Sequence, residues 1–530
     1  MPSSEPFEVE FVSPIQTTFV DPVREDQIFN QSEKKKKKHA KGNSDETVTS
    51  VVIRDVEEGY KEEDQGVKVV SFTPGTGENP KEWGKAKKWY ITITVSFLCL
   101  AVTLGSSTVT GDMTGPTKEF GTSQEIINLT ITCFVIGFGI GPLIFAPLSE
   151  LVGRTPMYLV SMFFYCIFTL PSALAHNAAT LVIARQIAGL AASAPMCNVG
   201  GSIADIWSVE ERGIPMAFFS FTIFMGPCLG PVMGGWIGER AGWRWLYWVL
   251  FIFSGFCFVL TLFLPETLAP VVLRRKAAKL RKETGDSSYR TVEEIEGKPF
   301  MQNLRVALSR PLIMLFTEPI VIMFSIYLSF VYALLYLMFF AFPIAFAEIR
   351  HFSGGMTGVT FVSIIIGIGI AMCLLPFNEK IYAALTKKGT YPEARLYGMM
   401  LGAIVLPISL FMFAFTGAFA RIHWIAPLIS GAVFGFSMIV IYVSANSYIV
   451  DSYSAYAASA IAAKTLLRSE IAAMVPLFVD QMFHGMGFQY AGLLLALVAV
   501  AIGPIPYVFF IYGERIRKRS VMATQAVRRR

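Results

Sequence analysis

From about position 90 onward the chain is a succession of apolar runs of 18 or more residues, separated by short polar turns. A run of that length crosses a hydrocarbon core of roughly 30 Å as a helix. The pattern predicts helical spans at 90–110, 125–146, 157–175, 179–206, 214–237, 243–264, 314–345, 356–377, 396–418, 423–450, 458–482 and 489–513. Twelve is an even number, so both termini fall on one side. A charged loop from Glu266 to Arg310 divides the spans into two sets of six. The expected fold is an all-α membrane protein of twelve transmembrane helices in two six-helix bundles, although the halves show no repeat by inspection. The implied segments are a disordered tail (1–86), an N-terminal bundle (87–265), a central loop (266–310), a C-terminal bundle (311–515) and a basic tail (516–530).

Composition agrees with this picture. The chain is 53% hydrophobic, against about 45–50% in soluble domains. Run length, more than content, excludes a large soluble core. The net charge of +6 reports topology rather than nucleic-acid binding. Turns on the side of the termini hold Arg154, Arg212, ten basic residues from Arg274 to Arg310, and Lys380, Lys387, Lys388 and Arg395; the opposite turns hold Lys118, Arg240, Arg244, Arg350 and Arg421. The positive-inside rule then makes both termini cytosolic. GWRWLYW (Gly242–Trp248) falls at the outer interface, where Trp and Tyr rings favour the head-group level. All seven cysteines lie inside spans, so no disulfide framework is expected.

The tail has no apolar segment of signal-peptide type and too little apolar surface to order itself. Its run Lys34–Lys38 either binds anionic lipid or is simply solvated. Asn30-Gln31-Ser32 and Asn128-Leu129-Thr130 match the glycosylation pattern, but one lies in the tail and the other in a span, and both are discounted. LRRKAAKLRKE (Leu273–Glu283) fits either an amphipathic helix on the inner membrane surface or a solvated linker helix.

Three motifs carry chemistry. GPCLGPVMGG in span 5 spaces Gly226, Gly230 and Gly234 by four. One helix face is thereby stripped of side chains for close packing, while Pro227 and Pro231 each remove a backbone hydrogen bond. The expected product is a kinked helix at a contact between bundles. APLSELVGRTP (Ala146–Pro156) turns at Gly153 and sets Glu150 and Arg154 near helix ends, with Asp205 at the end of span 4 as a partner for Arg154. This is the composition of a latch that forms in one conformation and breaks in another, or of a loop that only fixes topology. LVIARQIAGL puts Arg185 inside span 4, where an ionisable side chain either faces a polar cavity or snorkels to the interface; the cavity is the favoured reading.

With these motifs in this order, residues 87–515 resemble the major facilitator superfamily, and within it the fungal twelve-span drug:proton antiporters, which include multidrug, polyamine and metabolite exporters. LPET (Leu264–Thr267), TEPI (Thr317–Ile320) and NSYIVDSY (Asn446–Tyr453) add to the likeness. The resemblance implies two bundles rocking about a central cavity. It assigns the loop motif to Ala146, Leu148, Ser149, Glu150, Gly153 and Arg154, the arginine motif to Arg185 and Gly189, and the antiporter motif to Gly226, Pro227, Gly230, Pro231, Gly234 and Gly235. In the family the last motif accompanies exporters. Ala146 replaces the usual glycine and Thr155 a usual basic residue, so the latch is expected to be tuned differently.

Span 1 has no acid between Ile91 and Thr110, and Asp112 lies just past its outer end. Glu318, about one turn into span 7, and Glu470, near the middle of span 11, are the proton-carrier candidates, with structural pairing as the alternative. Lys464 and Arg468 share one face of span 11. Two cations facing a cavity favour an anionic substrate and count against a polyamine, unless Glu470 or Glu318 neutralises them. Tyr327, Tyr332, Tyr336 and Met338 in span 7 either line an apolar cavity or pack the bundle.

The expected function is proton-coupled efflux of a small organic compound, a drug-like molecule or a secondary metabolite such as an organic acid or glycolipid. An importer or uniporter of the same fold and a polyamine exporter are the alternatives; a membrane sensor signalling through the tail is a further one. The spans hold no HExxH or other catalytic constellation, so no enzyme is expected, and no metal or organic cofactor is implied. The partners expected are substrate, proton and bilayer, without nucleic acid, for a monomer in the plasma membrane or, alternatively, the vacuolar membrane.

Overall fold

The computed structural model describes residues 67–73, 75–208, 211–297, 300–385, 392–453, 456–520 and 522–523. Lys34–Lys38, Asn30, Lys387, Lys388 and Arg528–Arg530 lie outside the described residues. Twelve crossing helices follow in order: α1 Lys85–Ser107, α2 Gln124–Val152, α3 Arg154–Ala173, α4 Ala178–Ile206, α5 Gly213–Ala241, α6 Trp243–Leu262, α7 Pro319–Pro343, α8 Val362–Leu385, α9 Leu396–Gly417, α10 Ile425–Ser452, α11 Ala457–Met474 and α12 Phe488–Ile502, which continues as Ile505–Arg519. Eleven are long and apolar enough to cross a membrane on those grounds alone. The remaining helix, α11, carries Lys464, Arg468 and Glu470.

Packing divides the helices as expected. In the first half α2 lies on α4, α3 on α4 and α6, and α1 on α5; in the second α10 lies on α8 and α9, α7 on α11 and α9 on α12. The halves meet where α11 lies on α2, and where α5 lies on α8 and the short helix Gly354–Val359 that precedes it. Buried hydroxyls mostly turn back onto carbonyls of their own helix, as Thr103 does to Cys99 (2.8 Å) and Ser329 to Ser325 (2.6 Å). Such bonds satisfy polar groups where water is absent. Large apolar side chains such as Phe164, Ile252, Ile366 and Ile408 stand exposed around the rim, as a lipid-facing surface requires. The seven cysteines are all free.

Two sequence expectations are corrected. Residues 67–86, read as the end of a disordered tail, are ordered. β1 (Lys68–Val69) pairs in parallel with β2 (Tyr289–Arg290) of the central loop. Ion pairs Lys68–Asp286 (2.9 Å) and Lys276–Glu78 (2.6 Å) tie the same two segments. The central loop does form a helix, Ala269–Thr284. Part of its basic face is engaged by protein: Lys276 by Glu78, Arg274 by Glu293 and Arg281 by Glu294. The result is a small cap joining the segment before α1 to the link between bundles. The hydroxyl of Ser288 and the ammonium of Lys68 hold the Asp286 carboxyl well below the usual carboxylate range.

The second correction concerns Glu318. It does not sit inside a continuous span. The helix Phe300–Thr317 stops before it, and Glu318 adopts an extended conformation because Pro319 follows. Its carboxylate accepts from Tyr453 Oη (2.9 Å), from Ser520 Oγ and from the Met522 amide (3.3 Å). Glu318 thus anchors the C-terminal segment at the end of the molecule that bears both described termini, hereafter the terminal end. Beside it, Glu393 is a bidentate partner of Arg517 (2.7 and 3.0 Å).

The double variant Glu78→Gln/Asp286→Asn removes both ion pairs of the cap. Both pairs are solvent-exposed and individually weak, so amide hydrogen exchange over residues 68–82 should accelerate roughly two- to thirtyfold while α1–α12 keep their protection. Unchanged exchange would show that the β1–β2 pairing alone holds the cap.

Candidate functional site

At the terminal end the turn between α2 and α3 is built on Gly153, whose φ of +117° no side-chain-bearing residue adopts readily. A Cβ there would also collide with the carboxylate of Glu266. That carboxylate accepts from the amides of Arg154 (3.0 Å), Thr155 (3.3 Å), Thr267 and Leu268 (3.0 Å each). It satisfies the otherwise orphaned N–H groups that begin α3 and complements the positive end of the helix dipole. The guanidinium of Arg154 reaches Asp205 Oδ2 at 3.3 Å and Ser149 Oγ at 2.6 Å. Glu150 is exposed and outside this pair, within electrostatic reach of Arg154 and of Arg310 in the other half. A matching cluster closes the second half: Arg395 pairs with Asp451 (3.1 Å) and Glu379 (2.6 Å) and stacks on Tyr382.

The glycine face of α5 does not meet the other bundle. Cβ atoms at Gly226, Gly230 and Gly234 would strike Thr103, Ser107 and Thr108 of α1 and its extension, so this face seals α5 to α1 inside the first half. The boundary with the second half is made instead by Pro231 and Gly235, against Gly358 and Gly354. Glu239 adds a bond from the Gly355 amide (2.6 Å). Pro227 is buried within α5.

Arg185 is 1% exposed. It donates to the carbonyls of Gly105 (2.8 Å) and Thr130 (3.4 Å) and lies 3.9 Å over the Phe134 ring. It therefore ties α1, α2 and α4 together. This placement excludes snorkelling to the interface, and the guanidinium also lies within electrostatic reach of Tyr336 of α7.

Arg468 is equally buried, at 1%, yet among the described residues Nε, Nη1 and Nη2 all lack a protein hydrogen-bond acceptor. Its neighbours are rings: Tyr332 of α7 at 4.1 Å and Tyr442 of α10 at 5.5 Å. Lys464, one turn earlier, is fully buried, bonds Asn446 Oδ1 and lies 4.7 Å over the Tyr442 ring. Among the described residues no carboxylate forms a salt bridge with either cation. Glu470 leaves from another face of α11, toward Gly139 of α2, with its buried Oε1 unbonded. Tyr336 meets the Tyr332 ring edge-on at 5.2 Å, and Met338 is buried in the same helix. Tyr327 is directed elsewhere, toward Tyr507.

The structure thus gathers Lys464, Arg468, Tyr332 and Tyr336, with Arg185 within electrostatic reach of Tyr336, sets Glu470 apart at the α2–α11 contact, and removes Glu318 and Tyr327 from the site. Tyr442, Asn446 and Phe224 of α5 were not anticipated. Phe224 meets the Tyr442 ring edge-on at 4.7 Å and brings the first half to the site. Tyr442 and Asn446 are four apart in an apolar span, which marks a shared polar face. Glu266 was also missed; the signal was an acid directly after span 6 in LPET, at the level of the Gly153 turn.

Two bundles of six helices meeting at a boundary that holds buried cations have the architecture of a membrane transporter. Residues 95–476 match the family model described as Major Facilitator Superfamily, and the chain belongs to that superfamily, among its fungal drug:proton antiporter-type members. It is 43% identical to the MFS-type transporter paaT of Penicillium rubens, over 90% of this chain and 88% of that protein. It is 39% identical to the multidrug transporter mdrA of Aspergillus fumigatus, over 84% and 74%. The proton:xylose symporter XylE shares the fold, with a TM-score of 0.57 at 16% identity over 81% of this chain and 96% of that one.

Gly230→Ala places a methyl group against Ser107 Oγ and the Thr108 amide. Overpacking of this kind costs about 1–3 kcal/mol, so the melting temperature of the purified protein should fall by several degrees. Gly369→Ala, where nothing lies within 4 Å, should leave it unchanged. Equal behaviour of the two variants would contradict the seal between α1 and α5.

Proposed function

We propose that this transporter is a proton-coupled exporter of small organic compounds. The observation that carries the reading is the placement of Glu470. It stands on the helix pair α2–α11 that joins the two halves, against a glycine, with a carboxylate oxygen free of partners. An acid outside any salt bridge binds and releases a proton without dismantling an ion pair, and movement of one half against the other changes its access to water. Glu318 and Glu393, by contrast, are held by three donors and by a bidentate arginine. The sealed α1–α5 face supports export, since it restricts leakage beside the bundle boundary. In this reading both termini are cytosolic, the membrane is the plasma membrane, and the Arg154–Asp205 and Arg395–Asp451 pairs act as latches at the cytosolic end. The absence of a carboxylate beside Lys464 and Arg468 among the described residues counts against a polyamine as substrate.

The test is substrate flux from proteoliposomes with and without an imposed pH gradient. Flux should rise with the gradient in the wild type. In Glu470→Gln the gradient dependence should vanish, while exchange of substrate for substrate persists. Gradient dependence that survives in Glu470→Gln would rule out this acid as carrier, and flux indifferent to pH in the wild type would rule out proton coupling.

A further inference from the structure

We infer that the transported compound is an organic carboxylate whose head group is bound by Arg468 and Lys464, and whose apolar body lies among Tyr332, Tyr442 and Phe224. The inference rests on the transport reading above and names its substrate class. Its basis is the contrast between two buried arginines. Arg185 has two carbonyl acceptors and an aromatic face, which suffices for a structural role. Among the described residues Arg468 has no protein acceptor for any of its three nitrogens. Cation–π contact with the Tyr332 and Tyr442 rings offsets part of the cost of burying this charge, and a guanidinium left without acceptors keeps the rest. A packing role would be served better by an apolar side chain of the same volume.

The geometry selects the ligand. A guanidinium presents a planar fork that matches two carboxylate oxygens. Lys464, one turn away on the same face, supplies a second cation, of which Asn446 occupies one donor. The rings place aromatic surface around the charged end, as expected for an apolar or aromatic acid rather than a hydrophilic one. A cationic or neutral compound would leave Arg468 unpaired and add either repulsion or nothing. Phe224 comes from the first half and touches Tyr442, so a carboxylate drawing Arg468 and Lys464 off the Tyr442 ring alters a contact between the halves. Occupancy is thereby linked to their relative movement.

The experiment uses the purified full chain in detergent and a panel of matched compounds. Carboxylates from hexanoate to 2-naphthoate are compared with their amides and with amines of the same skeleton by thermal shift. Carboxylates should raise the melting temperature; amides and amines should not. In Arg468→Gln the apparent Kd should rise about ten- to hundredfold, the loss of a charge-assisted bond. A second measurement is independent of the ligand. Without any compound, Arg468→Met should melt at the wild-type temperature or above it, because an unpaired charge has been removed. A fall of several degrees, an equal response to amines, or no response of the wild type to any carboxylate would overturn the inference. The two readings fail separately. Carboxylate binding lost in Arg468→Gln with flux indifferent to pH would retire proton coupling and leave the site. Gradient-driven flux of the amine or amide that survives in Arg468→Gln would retire the site and leave coupling.

Discussion

The structure depends on one constraint: inside a bilayer no water is at hand to satisfy a buried polar group. Every interior charge must therefore find carbonyls, a counter-charge or a ligand. Arg185 takes carbonyls and binds three helices into one bundle. Arg154 takes Asp205 and Ser149 and fixes the turn between α2 and α3. Arg350 bonds five carbonyls at the opposite end of the molecule, among them Ala345, Thr416 and Gly417. Set beside these, the unanswered guanidinium of Arg468 stands out as a cost that the fold does not recover by itself.

The same solutions recur in the two halves. Arg154 lies just after α2 and pairs with the end of α4; Arg395 lies just before α9 and pairs with the end of α10. In each half the basic residue belongs to the turn between the second and third helices, and the acid ends the fourth. The halves share no visible sequence repeat, yet they retain equivalent electrostatics at equivalent positions. They differ in their fifth helices. α5 is stripped to glycine and packs backbone against backbone, whereas α11 carries three ionisable residues. One half supplies a closely packed seal and the other supplies charges.

What was legible in the sequence followed from local rules. Apolar run length marked the spans, and the spacing of Gly226, Gly230 and Gly234 showed that they share a face. What that face meets is a long-range property, and α1 rather than the second half turned out to be its partner. Arg185 and Arg468 look alike in sequence, each an arginine among apolar residues. Only the positions of Gly105, Thr130, Tyr332 and Tyr442 separate a satisfied charge from an unsatisfied one. The break at Glu318 was readable from Pro319 but was masked by the hydrophobicity on either side. The cap was beyond reach, because Lys68 and Asp286 are 218 residues apart and a two-residue ladder leaves no local signature. Glu266 illustrates the reverse case, a motif noticed for its likeness whose physical role, capping α3, emerged only from distances.

The three charges of α11 also bear on how the chain enters the membrane. On an insertion scale each charged residue near the centre of a helix costs about 2.5–3.5 kcal/mol, and each strongly apolar one returns only about 0.3–0.6. Lys464, Arg468 and Glu470 together oppose insertion by roughly 8 kcal/mol or more, against about 1–2.5 from Ile461, Leu466, Leu467 and Ile471. As an isolated segment α11 would remain outside the bilayer. It enters as a passenger of α10 and α12 and is retained by α7 and α2, so the helix that carries the site is the one whose topology depends on assembly of the rest.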